Sequence, residues 1–291
     1  FETILVPRRI GRHVRLTRYF YLFTWRVWRK AALAMSRPSR REALLGFYGP
    51  LSLVLLLALW AVGLVAAFAA LQFAATAGEG LRPDRFGTVL YLSGETFFTL
   101  GFGDIIPTTT LGRLFAVVEA GLGFGFLGTV VGYLPTMYSA FAQREIEIAL
   151  MDARAGSPPT AAEFLGRSFV RGGSTRTDDP LRDWERWSAQ LLETQISYPQ
   201  LAYYRSQHNN QSWLGAVTAI LDSSAFILAR SEPGSARQAH LTFAMARHAL
   251  VDITQNFVSR YAPGAADRLP AEDLRRLRAR LAGTLLDLPL P

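Results

Sequence analysis

Hydrophobic positions along this chain gather into two long stretches separated by a polar interruption. Residues 51–74, LSLVLLLALWAVGLVAAFAALQFA, carry no charge over 24 positions. As a helix, that length reaches roughly 36 Å, enough to cross a hydrocarbon core of about 30 Å. The second stretch, 114–138, LFAVVEAGLGFGFLGTVVGYLPTMY, has Glu119 as its only charge. Between them, ATAGEGLRPDR (75–85) reads as a polar loop, and FGTVLYLSGETFF (86–98) as a helix of only about 20 Å. A half-helix followed by irregular backbone is tolerated at membrane depth only where protein buries it or it lines a water-filled path. Beyond 138 the helical pattern continues through SAFAQREIEIALMDARA and stops at GSPP, 156–159. Helical periodicity then returns over 180–205, 211–230, 236–260 and 270–286. The segment 214–229 is too short and too polar to span, and reads as the core helix of a soluble bundle.

Charge is concentrated at one end. The 291 residues sum to +8, yet residues 1–50 alone hold eleven Arg and Lys against Glu2 and Glu42. Everything after residue 50 is close to neutral. A basic head suits nucleic acid or an anionic membrane face; the two apolar stretches decide for the membrane and against nucleic acid. Residues 10–30 interleave Ile10, Val14, Leu16, Phe20, Leu22, Phe23 and Val27 with arginines and add Trp25 and Trp28. That pattern predicts an amphipathic helix lying in the interface with its guanidinium groups on anionic lipid phosphates. A simple topology signal explains the same charges. With the head before the first span, and only Arg82 and Arg85 in the loop after it, both termini are expected in the cytoplasm of a multi-pass cell-membrane protein. The chain has no cysteine, so disulfides contribute nothing.

The chemistry sits in the interruption. Thr99-Leu100-Gly101-Phe102-Gly103-Asp104 follows the half-helix, whose C-terminal end directs a partial negative charge at whatever comes next. Glycine takes positive φ cheaply, so glycines at 101 and 103 let successive carbonyls turn to one side. Four such strands around an axis would stack oxygen rings able to replace the hydration shell of a bare cation.

Residues 93–113, SGETFFTLGFGDIIPTTTLGR, resemble the pore loop of two-transmembrane potassium channels. The resemblance covers about residues 50–138. It implies that K+ is coordinated by the carbonyls of Thr99, Leu100, Gly101 and Phe102 with the Thr99 hydroxyl, Gly103 completing the filter. It places Ser93, Glu95 and Thr96 at the family's pore-helix serine, glutamate and threonine, and Pro107, Gly112 and Arg113 at familiar positions. Glu95, Thr96 and Asp104 would support the filter. Leu100 stands where valine is usual, and Phe102 where tyrosine is, which removes a hydroxyl that ties filter to pore helix. Tyr91 and Leu92 replace an aromatic pair that often braces the filter from behind. One chain supplies one pore loop, so a homotetramer is implied.

Span two carries Gly121, Gly123, Gly125, Gly128 and Gly132. Close helix packing accounts for most of them. By resemblance Gly123 falls on the family's gating hinge; Pro135 must bend the helix because it lacks an N–H, and the two are expected to shape the gate. Glu119, ionisable within a span, reads either as functional or as a hydrogen-bond acceptor for the pore helix. His208, His240 and His248 form no dense ligand cluster and read as core or surface histidines, with a proton-sensing role or a metal site as the lesser alternatives. No metal beyond K+ and no organic cofactor are expected. No nucleophile–base pairing suggests an enzyme. The expected architecture is all-α: two transmembrane helices with a re-entrant pore helix and filter loop, plus a soluble cytoplasmic helical domain. Its divisions are 1–45, 46–140, 141–159 and 160–291. The reading is a potassium-selective channel gated from the cytoplasmic domain, whose ligand the sequence leaves open. The alternatives are a weakly selective cation channel and a membrane-anchored sensor or scaffold with a non-conducting pore.

Overall fold

The computed structural model describes residues 16–78, 85–168, 178–208, 210–230, 236–254 and 270–282. Arg82 and the outer ends of several expected helices, at 10–15, 255–260 and 283–286, lie outside the described residues. Among the described residues all regular structure is helical, as the periodicity predicts. The α-helices are α1 (Leu16–Leu33), α2 (Pro38–Gly78), α3 (Phe86–Phe97), α4 (Thr110–Ala155), α5 (Ala161–Ser168), α6 (Asp178–Ser197), α7 (Trp213–Arg230), α8 (Arg237–Thr254) and α9 (Ala271–Leu281). Three of them, α2, α4 and α7, are long and apolar enough to cross a membrane by length and composition, which for α7 overturns the expectation that 214–229 is too short and too polar to span.

Both long helices exceed the apolar runs inside them. Helix α2 opens on Pro38, where the missing N–H costs nothing, and runs on through Pro50. Helix α4 continues through Pro135. There the Thr136 hydroxyl donates back to the Tyr133 carbonyl at 2.8 Å. The expected single helix over 180–205 breaks instead at Tyr198, after which Pro199–Tyr203 forms a 3-10 turn. Proline disfavours helical backbone in the residue before it, and Tyr198 accordingly sits at φ −130° and ψ 72°.

The chain divides into two compact units, Pro50–Tyr138 on one hand and Phe1–Gly49 with Ser139–Pro291 on the other. In the first, short α3 buries Val89, Leu92, Ser93, Glu95 and Phe97. In the second, α6, α7 and α8 pack together, with α5 against α7 and α9 against α5. Its core takes Phe164 from α5, Trp184 and Leu191 from α6, Ile220 from α7 and Ile253 from α8. The last turns of α4 join that core through Ile148, Met151 and Ala155. Helix α7 buries Ala216, Val217, Ile220, Ser223 and Ile227 there, the core-helix role read for 214–229.

Candidate functional site

Helix α3 ends in a defined turn. Beyond Phe97, Phe98 N donates to Gly94 O (3.0 Å), Thr99 N to Thr96 O (3.1 Å) and Leu100 N to Glu95 O (2.8 Å). The last two bonds, with Thr99 in the left-handed region, make a Schellman cap. Glycine normally fills that position; here it is threonine, at φ 56°. A β-branched residue there costs of order 1–2 kcal/mol, and such strain persists where the surroundings enforce it. Gly101 follows at φ 63° and Gly103 at φ 76°. Positive φ therefore recurs at 99, 101 and 103, with Leu100 and Phe102 between them in ordinary backbone. The glycine pair announced two of these positions; Thr99 gave no sequence signal beyond sharing their parity.

Past the loop, the Thr109 side chain accepts from Gly112 N at 2.9 Å and so caps the start of α4. A Cβ on Gly112 would lie 2.8 Å from that hydroxyl, which explains glycine beside the cap. Arg113 Nε donates to Pro107 O at 3.3 Å. The three positions singled out by resemblance thus build one return turn. Of the expected filter supports, Asp104 accepts a long 3.5 Å contact from the Tyr91 hydroxyl. Thr96 Oγ1 turns back onto its own helix at Leu92 O, 2.7 Å. Glu95 is buried, and its Oε2 has no hydrogen-bond partner among the described residues.

Glu119 is wholly buried between three helices. Gln72 Nε2 of α2 donates to its Oε2 at 2.9 Å. Ser93 Oγ of α3 lies against its Oε1, and the same hydroxyl lies 2.7 Å from Val65 O of α2. One turn further along α4, Gly123 faces the end of α3 so closely that a Cβ there would stand 2.0 Å from Phe97 O. Gly121, Gly125, Gly128 and Gly132 would meet nothing within 4 Å.

In the second unit, segments next to both apolar stretches converge on residues 199–206. Arg144, only 3% exposed, donates to Leu201 O (2.8 Å) and Tyr204 O (3.0 Å) and pairs with Glu145 (3.0 Å). Glu42 forms an ion pair with Arg205. Tyr203 stacks on Tyr21 of α1, ring centroids 5.1 Å apart, and meets Tyr48 edge-on. Burial, reinforced by Tyr48, pushes the Tyr203 phenol up to about 12, against a smaller opposing pull from Arg18. The opposite face of α1 leaves Leu16, Tyr19, Phe23 and Val27 exposed. The three histidines all face solvent; His248 Nε2 lies 3.6 Å from Asp252 Oδ2. Among the described residues no group of three or more His, Asp or Glu could hold a metal ion.

Residues 53–140 match the family described as "Ion channel". Over those residues the chain is similar to ion channels. The chain is also 23% identical over 269 residues to an uncharacterized membrane protein, YdjJ, of Bacillus subtilis (strain 168). That match covers 90% of this chain and 75% of the relative. No solved structure matches this chain. The protein is thus a membrane protein with a segment similar to ion channels, continued by a helical unit.

Proposed function

We infer that this protein is a potassium-selective channel of the cell membrane, conducting passively through a filter assembled from four chains. The observation that carries the reading is the recurrence of positive φ at Thr99, Gly101 and Gly103 directly after a capped half-helix. Alternation of this kind turns successive carbonyls to one side, and Thr99, Leu100, Gly101 and Phe102 would offer four of them. A single loop coordinates nothing alone, so four copies are required. The exposed, apolar Val117, Phe124, Leu127 and Val131 of α4 offer surface for neighbouring chains and lipid. Because α4 is one helix from Thr110 to Ala155, it supplies both pore lining and the core of the second unit, which supports gating from that unit. Helix α1, cationic and apolar on its outer face, suits the anionic cytoplasmic leaflet, with both termini on that side.

The test is potassium flux from liposomes holding purified protein, with Gly103→Ala as control. A Cβ at φ 76° strains the loop, so flux should vanish while the tetramer keeps its mass in detergent. Undiminished flux in Gly103→Ala would remove the filter assignment.

A further inference from the structure

The buried carboxyl of Glu119 has an unusual set of neighbours. It faces Gln72 and the Val65–Ser93 contact, and no charged side chain among the described residues is hydrogen-bonded to it. Proton counting then constrains its state. A serine hydroxyl has one proton, and a main-chain carbonyl can only accept. Ser93 Oγ lies within hydrogen-bonding reach of both Val65 O and Glu119 Oε1. If Ser93 donates to Val65, the contact with Glu119 holds only when the carboxyl brings the second proton. If Glu119 were a carboxylate, it would accept Ser93's single hydrogen bond. The hydroxyl oxygen would then confront the Val65 carbonyl at 2.7 Å with no hydrogen between them, beside a buried charge lacking a cation. The neutral acid satisfies every contact at once: it donates to Ser93 and accepts from Gln72.

The position of this hub matters as much as its protonation. Glu119 and Gly123 are one turn apart on α4, and Ser93 and Phe97 are one turn apart on α3. The two helices therefore meet at two points, Glu119 on Ser93 and the bare backbone of Gly123 on Phe97 O. Phe97 is the last residue before the turn that holds Thr99 in its left-handed conformation. We propose that Glu119 is held as a neutral carboxylic acid and acts as a positioning residue for the filter, tying the pore helix to both flanking spans through Ser93, Val65 and Gln72. The proposal rests on the channel reading for its consequence, though not for the protonation itself.

The experiment uses full-length protein with Glu119→Gln, Glu119→Leu and Ser93→Ala. The infrared carbonyl stretch of a protonated carboxyl, taken as wild type minus Glu119→Gln at neutral pH, should be present. In liposomes, Glu119→Gln should keep wild-type potassium-over-sodium selectivity, because an amide can donate to Ser93 and accept from Gln72. Glu119→Leu and Ser93→Ala should each lower it by roughly tenfold, the scale of one lost buried hydrogen bond. Ser93→Ala carries the test if the leucine variant does not assemble. Absence of the carboxyl band, or a glutamine variant as impaired as the alanine one, overturns the proposal. Unchanged selectivity in Ser93→Ala overturns the positioning role. The infrared arm needs no conduction, so a band in a protein that passes no ions would count against the channel reading alone.

Discussion

Replacing Gly123 with alanine opposes two effects of known size. Alanine gains up to about 1 kcal/mol over glycine in a helix interior. Against that, the new Cβ would stand 2.0 Å from Phe97 O, 2.8 Å from its carbonyl carbon and 3.1 Å from its Cα. Ordinary contact begins near 3.4 Å, so α3 and α4 must part by about 1.4 Å at this point. The obstructing atoms are backbone, so no rotamer change relieves the clash. Overpacking of a close-packed site typically costs about 1–3 kcal/mol, and here the upper part of that range applies. The net is about 1–2 kcal/mol of destabilisation, delivered two residues before Thr99. Thermal unfolding of the detergent-solubilised assembly and reversal potentials in liposomes check this, with Gly121→Ala as the partner variant because its Cβ meets nothing. Gly123→Ala should unfold at lower temperature and lose selectivity, while Gly121→Ala does neither. If the two variants match in stability and selectivity, and only the open probability of Gly123→Ala changes, the contact with Phe97 is not what glycine serves and the hinge reading stands.

Thr99→Gly should relieve about 1–2 kcal/mol of left-handed strain yet remove the hydroxyl, giving a more heat-stable assembly with weaker potassium selectivity; unchanged selectivity would exclude that hydroxyl as a ligand. Arg144→Ala removes one donor each from Leu201 O and Tyr204 O and the cation from half-buried Glu145, which keeps Ser206 and Gln207 as donors, and should cost about 1–3 kcal/mol in denaturant unfolding, with lysine restoring only part; no measurable loss would refute the clamp. Tyr203, raised to about 12 in the folded chain, favours the neutral phenol. Its contribution to stability is fully present below pH about 10 and fades as pH rises toward 12, so Tyr203→Phe should unfold less steeply than wild type in that window. Parallel alkaline profiles would show that Tyr203 does not titrate with unfolding.

What the sequence made legible was local. Gly101 and Gly103 announced positive φ because little else uses glycine twice at that spacing, and the two apolar runs announced α2 and α4 by length. Thr99 stayed hidden because β-branched residues avoid the left-handed region, and the cap bonds from Thr99 N to Thr96 O and Leu100 N to Glu95 O are set by the folded turn. The end of α6 at Ser197 was written in Pro199, but the apolar residues beyond it carried the helical pattern past the break. Glu119 read equally as functional or structural because its partners, Gln72 and Ser93, lie 47 and 26 residues away. The same holds for the stacking of Tyr203 on Tyr21, which joins residues with no shared period.

The central claim is that the loop Thr99–Gly103 selects potassium. The most direct test is the reversal potential of currents through purified wild-type protein in liposomes, with potassium on one side and sodium on the other. A reversal close to the potassium equilibrium potential is expected. A reversal near zero, with current flowing, would make the pore an unselective cation path and contradict the claim.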